Sequence, residues 1–140
     1  MIHFINKLPI DIVFKIISYT YNFQNKPLLN DIEDYTKSKT LLLELYHQFW
    51  VFEMSEDKNW LINDIFAYAN NYNATMYGYI DKFYNIFKRN KYLQTKDQID
   101  KYVNKLEKKE AITQINIFLG LLTIQERNDI IIAFLNNMEL

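Results

Sequence analysis

Apolar residues recur along this chain at intervals of three and four, and each apolar stripe ends at a cluster of Asn, Asp, Ser, Thr or Lys. That spacing puts one face of a helix against a core, since a helix turns once in about 3.6 residues, whereas a half-buried strand alternates. Ile12, Val13, Ile16 and Ile17 predict a short first helix over Pro9–Tyr19, with Pro9 in the first turn, where a missing N–H costs nothing. The Asn-rich run up to Pro27 reads as a loop. Leu28, Leu29, Ile32 and Tyr35 restart a helical face, and Leu41, Leu42, Leu45, Tyr46, Phe49, Trp50 and Phe52 continue it. Thr36-Lys37-Ser38 leaves open whether this is one helix or two.

Downstream, Trp60, Leu61, Ile65, Phe66 and Ala69 form the next stripe, ending at the Asn-rich turn of residues 70–73. Thr75 is expected to cap a helix carrying Met76, Tyr79, Ile80, Phe83, Tyr84, Ile86 and Phe87, with Lys88, Arg89 and Lys91 at its electronegative C-terminus. Thr95 with Gln98, and Thr123 with Glu126, have capping-box spacing, in which side chain and backbone satisfy each other's donors. Between these boxes Ile112, Ile115, Phe118, Leu119 and Leu122 make a further stripe. The expectation is an all-α protein, a single compact multi-helix domain over residues 1–140 with about seven helices.

Composition sharpens this. At 49% hydrophobic and 16% aromatic the chain is too apolar to remain disordered. Only two glycines and two prolines leave few tight turns for a sheet. Lys and Arg (16) nearly balance Asp and Glu (17), so no overall field draws the chain to nucleic acid or an acidic membrane. With no cysteine, neither disulfides nor zinc–thiolate sites can form. The longest apolar runs fall far short of a membrane span, and residues 1–9 do not read as an export signal, so an intracellular setting is expected. The heavy use of Asn, Ile, Lys and Tyr is what an AT-rich coding sequence produces.

Candidate chemistry is sparse. His3 and His47 are far apart, no Gly-rich phosphate loop or nucleophile elbow is present, and no metal, cofactor or catalytic residue is expected. Asp31, Glu33 and Asp34 read as the wet side of a helix whose buried face is Ile32 and Tyr35. His47 reads as a residue flanking the core edge. The basic stretches 88–91 and 102–109 read as solvated faces, with no nucleic-acid partner expected. The eleven tyrosines cannot all be buried in so small a domain. Two readings of that surplus stand side by side: codon bias, and a recognition surface.

The stretch LPIDIVFKIISYT, followed by the Leu pair of PLLNDI, Ser38-Lys39 and Trp50, resembles the F-box pattern, in which a Leu-Pro-acid start leads into an aliphatic helix. Its wording is also similar to N-terminal segments of proteins of large AT-rich DNA viruses. The likeness covers residues 8–50, leaving 56–140 as a helical body, and the connection from Tyr21 to Pro27 is longer than that of the F-box. The resemblance implies a non-enzymatic protein-interaction module linking a target to a cullin-type ubiquitin ligase. Leu8, Pro9, Ile12, Ile16 and Ile17 would face a Skp-type adaptor. The alternative is a viral structural or assembly protein, a homo-oligomer or a binder of another viral protein through aromatic surfaces. Host cytoplasm or the virion is the location these readings imply.

Overall fold

In the computed structural model, residues 26–49 and 57–138 are described. Among them lie six α-helices and no strand: α1 (Lys26–Phe49), α2 (Asp57–Ala69), α3 (Asp81–Phe87), α4 (Lys96–Leu106), α5 (Ala111–Leu121) and α6 (Ile124–Met138). The all-α expectation holds. The helix expected over Pro9–Tyr19, with the candidate partner-binding residues Leu8, Pro9, Ile12, Ile16 and Ile17, lies outside the described residues. The chain divides into two compact units, Met1–Glu33 and Asp34–Leu140, with the division inside α1. Of the first, the described part is the opening of α1, where Leu28, Leu29 and Ile32 are exposed. Ile32, expected on a buried face, is 51% exposed.

Residues 36–38 do not break α1. Thr40 Oγ1 donates to the Thr36 carbonyl (2.9 Å) and Ser38 Oγ to the Asp34 carboxylate (3.3 Å), so these hydroxyls bond within the helix instead of competing with it. Ser38, Leu42 and Tyr46 then form a buried row at four-residue spacing.

The centre of the second unit is α5, whose Ile115, Phe118 and Leu119 are fully buried, and its closest helix pairing is with α2. Around Phe118 stands a cluster of rings. Phe83 of α3 stacks on Tyr79 (centroids 3.9 Å apart), and Phe66, Phe87 and Phe118 lie 6.0, 5.0 and 6.1 Å from it. On α4, Ile99, Val103 and Leu106 close the other side. The capping box at its start is complete, Gln98 N–H donating to Thr95 Oγ1 and Thr95 N–H to Gln98 Oε1.

The second box, at α6, carries more. Glu126 N–H donates to Thr123 Oγ1 and its carboxylate accepts Thr123 N–H (2.8 Å). The same carboxylate takes a two-pronged pair from Arg89 (2.5 and 3.1 Å), and Arg89 also donates to the Leu121 carbonyl (2.9 Å) at the end of α5. Arg89 is therefore an anchor between the end of α3 and the α5–α6 corner. Burial pushes the Glu126 carboxyl up, but the bonds from Arg89 and Thr123 outweigh it and hold the group below the usual range.

Asp34 corrects the reading of a purely wet acidic face. Arg127 of α6 is 0% exposed; its Nη1 donates to Asp34 Oδ2 (3.0 Å), its Nε to the Leu119 carbonyl (2.9 Å), and its guanidinium lies 5.6 Å from the Tyr35 ring centre. Tyr35 in turn donates to the Asn116 carbonyl (3.3 Å). A guanidinium out of water must be paired, and this latch ties α1 to both α5 and α6.

The tyrosines recur in one device. Tyr46 donates to Asp64 (2.5 Å), Tyr68 to Asp129 (3.0 Å), Tyr79 to Glu107 (3.2 Å) and Tyr84 to Asp100 (2.8 Å). Each ring packs near the core while its hydroxyl reaches a carboxylate at the rim, which is how a tyrosine satisfies both its ends.

Candidate functional site

The end of α2 and the loop to α3 make the most distinctive surface. Asn71 N–H donates to the Tyr68 carbonyl and Tyr72 N–H to the Ala67 carbonyl (2.7 Å), the paired bonds of a Schellman ending. That ending needs a left-handed residue, supplied by Asn71 (φ 51°), and Tyr72 follows at φ 60°. Asn70, fully buried, fastens the rest: Nδ2 donates to the Asn73 (2.9 Å) and Gly78 (3.4 Å) carbonyls, and Oδ1 accepts Ile80 N–H (2.8 Å). Lys82 closes the loop from α3, donating to the Tyr68 carbonyl (3.0 Å) with its ammonium 3.9 Å over the Tyr68 ring.

The helix expected from Thr75 to Phe87 is therefore interrupted. Thr75–Tyr77 form one 3-10 turn without a side-chain cap, Gly78 sits at φ 92°, and α3 begins only at Asp81. A positive φ is open to glycine at little cost and ends helical propagation. The result is a knuckle that pushes Tyr72 (64% exposed), Met76 (82%) and Tyr77 (87%) outward.

Beside the knuckle runs a groove of about 680 Å³. Ile62, Phe66 and Ala67 of α2 give it an apolar floor, and Phe66 continues into the core against Phe118 (4.9 Å). Asn59 and Asn63 line it from α2, Tyr72, Asn73, Ala74 and Thr75 from the knuckle, Glu107 from the end of α4 and Gln114 from the first turn of α5. Gln114 is buried and held by the Lys109 (2.8 Å) and Glu107 (3.4 Å) carbonyls. Glu107 is oriented by the Tyr79 hydroxyl. The lining thus offers amides, hydroxyls and one carboxylate, with no cation. A second hollow of about 70 Å³ near Tyr46 and Asp64 is an order of magnitude smaller.

Tyr79 is pushed up to about 12, by burial first and then by the charge and hydrogen bond of Glu107. Burial, followed by the bond to each carboxylate, also raises Tyr46, Tyr68 and Tyr84 above the usual tyrosine range. A raised pKa means that the folded chain holds the proton more tightly than the unfolded one. The stability so contributed is full below the unfolded value of about 10 and is lost as pH rises from there through the folded value. The urea midpoint should accordingly hold to about pH 9 and fall between about 10 and 12, with Tyr79→Phe reducing the slope. A Tyr79→Phe slope identical to the parent's would refute the assignment to Tyr79.

His47 is exposed on α1, its Nδ1 3.4 Å from Asp57 Oδ2, and it is not among the residues lining the groove. Among the described residues no group of three or more His, Asp or Glu side chains could hold a metal ion, and no described helix is long and apolar enough to cross a membrane. The groove residues were not singled out by sequence. Asn59 looked like part of a polar boundary, and the only signal was its four-residue spacing from Asn63. No protein-family model matches the chain, and neither a curated protein nor a solved structure shows similarity to it.

Proposed function

We propose that this protein is a non-enzymatic protein-interaction module and that the knuckle is a surface it offers to a partner. The observation that carries the reading is the exposure of Tyr72, Met76 and Tyr77 on a loop whose backbone is pinned by Asn70. Aromatic and methionine side chains are enriched where proteins meet, and a loop already fixed loses little entropy on docking. Two partners follow from different features. The F-box-like wording of residues 8–50 supports a Skp-type adaptor, met by Leu8, Pro9, Ile12, Ile16 and Ile17, with the rest of the chain holding a target. The knuckle supports a second copy of the chain, as in a viral structural or assembly protein.

Sedimentation velocity of the chain alone and with a purified Skp-type adaptor distinguishes them. Co-sedimentation that is lost on Ile12→Asp with Ile16→Asp, in a protein still helical by circular dichroism, is the adaptor result. A concentration-dependent dimer that Met76→Ser with Tyr77→Ser returns to monomer is the second-copy result. A parent chain that stays monomeric and ignores the adaptor removes both.

A further inference from the structure

Asn59 and Asn63 stand four residues apart on the exposed side of α2, both in the groove lining. Four helical residues rise about 6 Å. In an extended peptide, main-chain groups facing one side recur every second residue, about 6.7 Å apart. A primary amide offers both a donor and an acceptor, so one asparagine can meet the N–H and C=O of a single peptide residue. Two asparagines at this spacing match two successive same-side positions of an extended chain, and the small mismatch lies within side-chain freedom. From Asn59 to Ala67, α2 runs along the groove for about 12 Å, the length of roughly four extended residues.

Both amides lack a hydrogen-bond partner among the described residues, whereas Glu107 and Gln114 in the same lining are held by neighbours. Charge selects the occupant further. Glu107 is the one charged residue in the lining, so an anionic ligand such as a phosphate is repelled and a cationic side chain is attracted.

We propose that the groove takes an extended segment of a partner protein, with its main chain read by Asn59 and Asn63 and a Lys or Arg side chain set against Glu107. The knuckle residues Tyr72 and Thr75 line the same groove. Affinity then comes from main-chain hydrogen bonds and selectivity from the one charge, the division of labour seen when a protein binds an extended strand. The inference rests on the protein-interaction reading above and adds the class of segment bound.

The test is a titration of the full ¹⁵N-labelled chain with the blocked peptide acetyl-Ala-Thr-Val-Arg-Val-Thr-Ala-amide, a version with Glu in place of Arg, and cellohexaose. The arginine peptide at millimolar concentration should shift the side-chain amide signals of Asn59 and Asn63. Asn59→Ala with Asn63→Ala, exposed changes that favour the helix, should weaken it about tenfold or more. Glu107→Gln should abolish the preference for the arginine over the glutamate peptide. Absence of shifts at the groove, equal binding by the double-alanine variant, or binding of cellohexaose but not peptide each overturns the proposal. Any of these leaves the sedimentation result free to support or remove the interaction reading by itself.

Discussion

Asp34→Ala should lower the unfolding free energy by about 3 kcal/mol or more, the cost of taking a hydrogen-bonded carboxylate away from a buried guanidinium. Arg127 is fully enclosed, and the Asp34 carboxylate meets its Nη1 at 3.0 Å. Its Nε bond to the Leu119 carbonyl satisfies another N–H but cancels no charge. For a chain of this size the loss corresponds to a fall in Tm of roughly 10 °C. The double variant Asp34→Leu with Arg127→Met should recover much of it, because the buried charge is removed together with its acid. Urea unfolding of the three proteins checks this. A loss below about 1 kcal/mol for Asp34→Ala would show that the guanidinium is compensated without Asp34 and would overturn the assignment.

Phe83→Ala is expected to cost about 3–5 kcal/mol, the range for emptying a buried phenylalanine site. Phe83 is fully enclosed, stacked on Tyr79 and within about 6 Å, ring centre to ring centre, of Phe66, Phe87 and Phe118. Those rings belong to three helices and the loop before α3, so none can move into the void without pulling its own helix out of place. Phe83→Leu, which keeps most of the volume, should cost much less. The chain's whole stability is of the order of 5–15 kcal/mol, so Phe83→Ala consumes a large part of it. Equal losses for the two variants, read from urea midpoints, would mean that ring geometry rather than volume holds the cluster.

Much of the framework could be read from local chemistry. The stripes around Leu61 and Ile115, the two capping boxes and the Asn-rich end of α2 are recovered close to where their residues place them. The reason is that caps and apolar periods act within a few residues, and the sequence shows those residues together. The interruption after Thr75 was missed because Gly78 alone is a weak signal against seven apolar residues at helical spacing. What defeats the longer helix is Asn70, whose bonds to Asn73, Gly78 and Ile80 fold the loop back on itself.

By itself, then, the sequence determined that this chain is helical, where most of its described helices start and stop, and which apolar faces need cover. Tertiary structure alone decided what the polar residues do. It joined Asp34 to Arg127, 93 positions apart, and Arg89 to Glu126, 37 apart. It gave four tyrosines carboxylate partners on neighbouring elements and brought Asn59, Asn63 and Glu107 into one groove. An apolar face needs only something apolar to cover it, so its period is enough to reveal it. A charge or hydroxyl needs one partner at one distance, and that partner is fixed only when the chain has folded.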